Sequence, residues 1–216
     1  MKDLITIYIV NFNYGKFLKN AIDSALNQDY ENKEIIVFDN GSTDNSSKIL
    51  VEYIKSCKII YNSQQKLIPT INQEINISSG KYILRLDADD FLHPEAVTIL
   101  HENIIKHKST ALVFSSYNVV DNEGKKLYTR IRDFDNKKNK IFHNPAHGAC
   151  SLMNLDILKS IGGYDESFTA QDGYYIWLKL VFNYRVIGVK DILFSYRRHN
   201  DNLTNDYHKI LKSRME

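Results

Sequence analysis

Lys81-Tyr82-Ile83-Leu84-Arg85-Leu86-Asp87-Ala88-Asp89-Asp90 is the stretch from which the fold can be read. An apolar, β-favouring run stops abruptly in three carboxylates within four residues. Carboxylates crowded at a strand end repel one another unless positive charge lies between them. A divalent metal carrying a phosphorylated ligand would supply that charge. A solvated acidic turn that caps the following helix accounts for the same residues in another way.

The same alternation runs through the first half of the chain. Residues 4–10 form a β-branched and aromatic run, a first strand. Phe17, Ala21, Ile22, Ala25 and Leu26 then recur at helical spacing. Ile35-Ile36-Val37-Phe38 reads as a short buried strand ending at Asp39 and punctuated by Gly41. Asp44 or Ser42 can then cap a helix carrying Ile49, Leu50, Tyr53 and Ile54. Residues 58–61 predict a third strand. Residues 67–77 predict a helix with Pro69 in its first turn, where a missing N–H does no harm, and Gly80 closing it. A strand at 82–86, the acidic turn, a helix from Pro94 to about His107 and a buried strand at 111–115 follow. Continuous apolar strands at short spacing are the mark of an open, mostly parallel α/β sheet covered on both faces. Ligands of such sheets sit at the carboxyl ends of the strands, and Asn11, Asp39 and Asp87 all fall there.

The second half is less regular. Asn122-Glu123-Gly124 predicts a turn between strands at 117–120 and 126–131. Residues 132–140 are highly charged and read as a surface loop. Next come a strand at 149–153, then a short helix capped by Asp156 and ended by Gly162-Gly163. Ile176, Leu178, Val181 and Phe182 mark a further helix, followed by strands at 186–189 and 192–196. Residues 203–214 read as a basic terminal helix. No internal repeat, low-complexity tract or linker is visible, so residues 1–216 are expected to form a single domain.

Composition sets outer bounds. The apolar and charged fractions, 43% and 25%, are ordinary for a globular protein. A formal net charge of +2 gives no ground for nucleic-acid binding. Cys57 and Cys150 lie far apart and outside any metal-ligand spacing, which fits two free thiols in a reducing compartment. The amino-terminal apolar run stops at Asn11, too early for a signal peptide or a membrane span. No apolar run approaches the roughly 20 residues a spanning helix needs. The expectation is a cytosolic protein that can still work on a membrane-bound substrate.

Several ordered motifs now line up. They are Ile9-Val10-Asn11-Phe12-Asn13-Tyr14, residues 24–28, Glu34 through Asp39-Asn40-Gly41-Ser42-Thr43-Asp44, and Leu86-Asp87-Ala88-Asp89-Asp90. Gly162-Gly163-Tyr164-Asp165-Glu166 with Gln171-Asp172, and Tyr196-Arg197-Arg198-His199, complete the series. Together they closely resemble the family 2 glycosyltransferases with the GT-A fold, over nearly the whole chain. The resemblance implies a nucleotide-sugar-binding half at 1–117, an acceptor-side half at 118–216, and an inverting transfer from a donor that is most often UDP-linked. The implied acceptor is a hydroxyl of a glycan or lipid-linked oligosaccharide in bacterial surface-polysaccharide synthesis, at the inner face of the membrane.

Residue by residue, the resemblance gives Asp39 the uracil ring; an ionised carboxylate only accepts hydrogen bonds and suits the ring N–H. It places Asn11 and Tyr14 by the base and ribose, where a turn role explains them nearly as well. Asp44 is favoured as a structural cap. Asp89 is the implied metal ligand, Asp87 its neighbour towards the ribose, and Asp90 supports the loop or approaches the donor sugar. The metal would be Mg²⁺ or Mn²⁺, with His199 able to add a nitrogen ligand. Arg197 and Arg198 suit diphosphate charge, and either can instead pair with a surface acid. Asp172 is the implied general base, with a helix N-cap as its alternative.

Some positions depart from the family pattern. Gln171 stands where an acid is common, leaving Asp172 as the single carboxylate. Tyr175 replaces a second acid. Ile71 replaces an arginine, for which Arg85 can compensate, and Asn40 replaces an aspartate beside Asp39. A sugar-1-phosphate nucleotidyltransferase is disfavoured, because the segment from Asn11 to Lys16 carries a single glycine. A non-catalytic nucleotide-sugar-binding module is the alternative from another class, and Asp87, Asp89, Asp172 and His199 argue against it. His143 and His147 can touch substrate, although a lone histidine is more often structural. The basic tail can touch anionic lipid or dock as a terminal helix.

Overall fold

The structure, a computed structural model, describes residues 2–63, 66–136, 146–167, 172–200 and 202, with Asp172 described by its backbone alone. The first half builds β1 (Ile5–Asn11), α1 (Gly15–Leu26), β2 (Lys33–Asp39), α2 (Ser46–Val51), β3 (Lys58–Tyr61), α3 (Leu67–Ile77) and β4 (Tyr82–Asp87). Then come β5 (Phe91–Leu92), α4 (Ala96–Ile105), β6 (Thr110–Val120), β7 (Lys126–Arg130) and β8 (Phe134–Asp135). β9 (Ser151–Asn154), α5 (Leu155–Ser160), α6 (Asp172–Asn183) and β10 (Arg185–Arg197) complete the described elements.

The strands form one sheet in the order β3-β2-β1-β4-β9-β6-β10-β5, with β7 added to β6 and β8 to β10. β3, β2, β1 and β4 are mutually parallel, and so are β6 and β10. Only β9 breaks the direction at the centre, running antiparallel to both β4 and β6. Leu152 faces Leu84 on one side and Val113 on the other, and so splices the two parallel sets into one sheet.

Strand alternation sorts the core onto two faces. Ile5, Ile7 and Ile9 pack with Leu18, Ala21 and Ile22 of α1, Leu50 of α2 and Leu100 of α4. Tyr8, between them in sequence, turns to the other face, which holds Ile71 and Ile75 of α3, Leu158 of α5 and Trp177 of α6. Each fully buried aliphatic side chain stabilises by about 2 kcal/mol, so this two-sided coverage holds the central strands rigid. Ile71, which departs from the family pattern, is fully buried here and serves packing.

Five local expectations need correction. Gly80 does not close α3; Ser78 is the C-cap. A Cβ at Gly80 would come 2.6 Å from the Thr6 backbone nitrogen, so close packing against β1 is what calls for glycine. The strands read at 111–115 and 117–120 are one strand, β6. Its central Ser116 hydroxyl is satisfied by the Val189 carbonyl, so a polar pair need not interrupt the strand. The strands at 186–189 and 192–196 likewise join into β10, with a register shift between Val189 and Ile192. Within the charged stretch 132–140, Phe134 is buried and Asp135 pairs with Arg185 at 2.6 Å, making a two-residue strand. Asn154, not Asp156, caps α5 by accepting the Ile157 N–H. Residues 137–140, His143 and the basic tail at 203–214 lie outside the described residues.

Candidate active site

The parallel register brings the strand ends together. Asn11 stands opposite Asp39, and Val10 opposite Asp87. Asn11 donates from Nδ2 to Asp39 Oδ1 at 2.9 Å and to Ser42 Oγ at 3.0 Å. Asp39 is thereby fixed by its Oδ1, while its Oδ2 accepts no hydrogen bond among the described residues. Asn11 Oδ1 is buried and without a partner among the described residues. Asn40, next along, turns the other way and exchanges hydrogen bonds with Thr70, tying the end of β2 to α3.

The loop after β1 is braced by Asp44. Its carboxylate accepts the Gly15 N–H at 2.8 Å and the Ser46 N–H at 2.9 Å, and so links the first residues of α1 and α2. Burial alone would raise its pKa, but the hydrogen bonds from Ser46 and Gly15 win and hold it below the usual carboxylate value. The expected cap is corrected in detail: Asn45, not Asp44 or Ser42, holds the N-cap position of α2, which ends at Val51 before Tyr53 and Ile54, and Asp44 instead ties the first N–H groups of α1 and α2 together.

The acidic turn is folded back on itself and met by the end of β10. β5 follows Asp90 immediately and pairs antiparallel with Phe194–Ser195 of β10, which sets Arg197 over the turn. The Arg197 N–H donates to Asp90 Oδ1 at 2.9 Å. The Arg197 guanidinium is buried: Nε donates to the Asp89 carbonyl at 2.9 Å, and Nη1 to the Asn122 carbonyl at 2.9 Å. It also lies 4.8 Å from the Phe17 ring centroid. This arginine braces the turn, whereas Arg198 is exposed.

Beyond β10, His199 Nε2 lies 2.9 Å from Asp89 Oδ2, and the His199 ring packs on Phe17 and edge-on to Tyr14. Asn202, which sequence reasoning did not single out, donates to Asp89 Oδ2 at 3.1 Å and accepts the His199 N–H. Its only signal was an amide three residues after a motif histidine. Asp87 pairs with Arg85 Nε at 2.7 Å, so Arg85 is committed to the acidic turn.

Burial and mutual repulsion of the carboxylates dominate the electrostatics of the turn. Burial, then the Asp89 and Asp87 charges, push Asp90 well above the usual carboxylate range. Burial and the Asp87 charge raise Asp89 as well, against the pull of His199. Asp90 Oδ2 is buried and unsatisfied among the described residues. Ligand atoms of Asp87, Asp90 and His147 lie within 4.8 Å of one another. His147 therefore joins the acidic turn, which the default structural role for a lone histidine missed. Hard oxygens with one imidazole suit Mg²⁺ or Mn²⁺.

Asp172 opens α6, as expected, but its side chain and Gln171 lie outside the described residues. The segment leading towards it is anchored by Asn72, which accepts the Tyr164 N–H at 2.9 Å and donates to the Tyr164 carbonyl at 2.8 Å. Cys57 and Cys150 are free and buried, and burial pushes their thiols up to about 11 and about 12. No described helix is long and apolar enough to cross a membrane.

Comparison with known proteins agrees with this geometry. Residues 6–162 match the family described as glycosyl transferase family 2. An uncharacterized glycosyltransferase of Rickettsia typhi is 29% identical over 212 residues, covering 94% of this chain and 66% of that protein. The chondroitin synthase of Escherichia coli is 35% identical over 124 residues, covering 56% of this chain and 18% of the synthase. The chain thus spans less than two thirds of the length of these relatives. Among solved structures, S. aureus TarS with UDP-GlcNAc superposes with a TM-score of 0.79 at 16% identity, covering 94% of this chain and 60% of that one. The mannosyltransferase PcManGT of Pyrobaculum calidifontis, with GDP-Man and Mn²⁺, gives 0.75 at 14% identity, covering 99% and 62%. The fold is of the GT-A type, and the chain belongs to glycosyl transferase family 2.

Proposed function

We propose that the chain transfers a sugar from a nucleotide-sugar, UDP-linked by preference, to an acceptor hydroxyl with inversion at the anomeric carbon. The observation that carries this reading is the meeting of Asp39, Asp87 and the Asp89–His199 pair at one end of the sheet. Asp39, fixed by Asn11 and Ser42, offers its other oxygen to a uracil N–H. Asn11 and Tyr14 flank the base and ribose. The UDP and UDP-GlcNAc complexes of TarS support a uridine donor. The exposed Arg198 faces the diphosphate, and Arg197 keeps the acidic turn in place.

A Mg²⁺ or Mn²⁺ ion fits the carboxylates. Asp87, Asp90 and His147, whose ligand atoms converge within 4.8 Å, would hold it, with Asp89, oriented by His199, as a further donor at the same turn. When bound, it supplies positive charge for the leaving diphosphate. The Mn²⁺ in the PcManGT complex supports this assignment. Asp172 serves as general base. It takes the proton of the acceptor hydroxyl, whose oxygen forms the new bond to the anomeric carbon as the bond to the diphosphate oxygen breaks.

The acceptor is a glycan or a lipid-linked oligosaccharide, built at the inner face of a membrane in surface-polysaccharide synthesis. Relatives named chondroitin synthase and hyaluronan synthase support a polysaccharide product. The direct test is release of UDP from UDP-sugars in the presence of Mn²⁺, with wild type and Asp172→Asn. Wild type should release UDP, and the variant should be slower by about 10²–10⁴-fold. Absence of release with every UDP-sugar, despite binding, would leave a binding module and overturn the enzyme reading.

A further inference from the structure

Gln28 lies just past the end of α1 and is buried. Its Nε2 donates to the Ser24 carbonyl at 2.9 Å and to the His93 carbonyl at 2.8 Å, while its Oε1 accepts the Val97 N–H at 3.0 Å. A carbonyl only accepts and a backbone N–H only donates, so these partners fix which way the amide points. One turn earlier, the Ser24 hydroxyl donates to the Ala21 carbonyl at 2.8 Å and accepts the Leu92 N–H at 3.0 Å. The Asp29 N–H adds a bond to the Pro94 carbonyl at 3.1 Å. The end of α1 thus grips the backbone at Leu92, His93, Pro94 and Val97, directly after the acidic turn closes at Asp90.

The same segment is held from its other side by β10. The His93 N–H donates to the Leu193 carbonyl at 2.8 Å. The His93 ring places Nδ1 2.7 Å from the Ile192 carbonyl oxygen and Nε2 3.2 Å from Ser195 Oγ. These contacts fall where β10 shifts register against β6, around Ile192. Beyond the shift, β10 delivers the Arg197 N–H to Asp90 Oδ1. His93 therefore stands between the end of α1 and β10, with the acidic turn leading into it through β5. Buried backbone groups need partners, and that need alone accounts for single bonds of this kind. It does not call for one buried amide to tie both the exit of β5 and the first turn of α4 to α1. The carboxylates of the turn repel one another, so before an ion binds only their backbone frame keeps them gathered.

We propose that Gln28, with Ser24, is a positioning residue of the acidic turn: it fixes the segment leaving Asp90, so that Asp87, Asp89 and Asp90 are already gathered when an ion arrives. The inference rests on the metal reading above and adds residues that touch neither ion nor nucleotide. The test is titration of the full chain with Mn²⁺ at saturating UDP, followed by the electron paramagnetic resonance of the free ion, for wild type, Gln28→Glu and Ser24→Ala. Gln28→Glu keeps the shape and the acceptor for the Val97 N–H, but sets a carboxylate against the His93 and Ser24 carbonyls. Partners that orient metal ligands typically change affinity by 10–100-fold, so each variant should weaken Mn²⁺ binding by about tenfold. UDP affinity without metal should stay within about twofold, because Asn11 and Asp39 sit on β1 and β2, away from the clamp. Gly80→Ala, a strain placed before the amino end of β4, controls for lost stability and should bind Mn²⁺ as wild type does. Ser24→Ala decides the question if Gln28→Glu does not fold. Wild-type Mn²⁺ affinity in the folded variants overturns the proposal and leaves the metal reading standing, and so does an equal loss in Gly80→Ala. A wild type that binds no Mn²⁺ overturns both.

Discussion

His199 Nε2 sits 2.9 Å from Asp89 Oδ2, a contact that joins positions 110 apart in sequence. With Asn202 on the same oxygen, it latches the segment after β10 onto the acidic turn. Orienting partners of metal-binding carboxylates typically affect affinity by 10–100-fold. His199→Ala should weaken Mn²⁺ binding by about that factor while the far-ultraviolet circular dichroism is unchanged. Unaltered Mn²⁺ affinity would make the contact a purely structural latch.

Asp39 is held at one oxygen by Asn11 and Ser42, leaving the other for a ligand. A hydrogen bond to a charged acceptor contributes about 1.5–3 kcal/mol. Asp39→Asn should therefore weaken UDP roughly tenfold or more in a titration and leave the Mn²⁺ affinity untouched. Equal UDP affinity in the two proteins would remove Asp39 from the nucleotide site.

Glu74 is fully buried on α3, with Oε2 unsatisfied among the described residues. Burial, aided by the Glu34 charge, pushes its pKa from 4.5 up to about 8, against the Ser78 hydrogen bond and Lys58. The folded value lies above the unfolded one, so the folded state holds the proton more tightly. Its stabilisation is complete below the unfolded value and is lost as pH rises towards 8. The slope in that window is about 1.4 kcal/mol per pH unit. Glu74→Gln should flatten the decline in urea midpoint across this range. A variant with the wild-type slope would show that another group titrates there.

Gly80 meets β1 so closely that an added Cβ would lie 2.6 Å from Thr6 N and 2.7 Å from Thr6 Oγ1. Backbone cannot move aside as a side chain can. Gly80→Ala should cost about 1–3 kcal/mol in a chemical unfolding curve. A change within about 0.5 kcal/mol would mean that β1 and β4 slide freely at their amino ends.

The parallel half was legible because its strands are continuous apolar runs ending in polar residues at Asn11, Asp39 and Asp87. What stayed hidden depends on partners distant in sequence. The four residues of β9 carry no sign of direction, and only the neighbours β4 and β6 make them antiparallel. Phe134 looked like part of a charged loop because its strand is two residues long and its partner lies on β10. Arg197 and Arg198 were indistinguishable as cations; the pairing of β5 with β10 buries the first and exposes the second. His147 was marked as a possible substrate contact, but nothing around it in sequence announces Asp87 and Asp90. Asp39, Asp87 and Asp89 were singled out because motif order and strand-end position pointed to the same residues.

The central claim is that a uridine nucleotide and a divalent ion meet at the carboxyl ends of β1, β2 and β4. Thermal unfolding with UDP, with and without Mn²⁺, tests it most directly. Ligand at a hundredfold excess over its Kd stabilises by about 2.7 kcal/mol, which corresponds to about 5–10 °C for a domain of this size. The account predicts a shift of that order with UDP and Mn²⁺ together, and a clearly smaller one with UDP alone. No shift with any uridine nucleotide, or a shift indifferent to Mn²⁺, would contradict it.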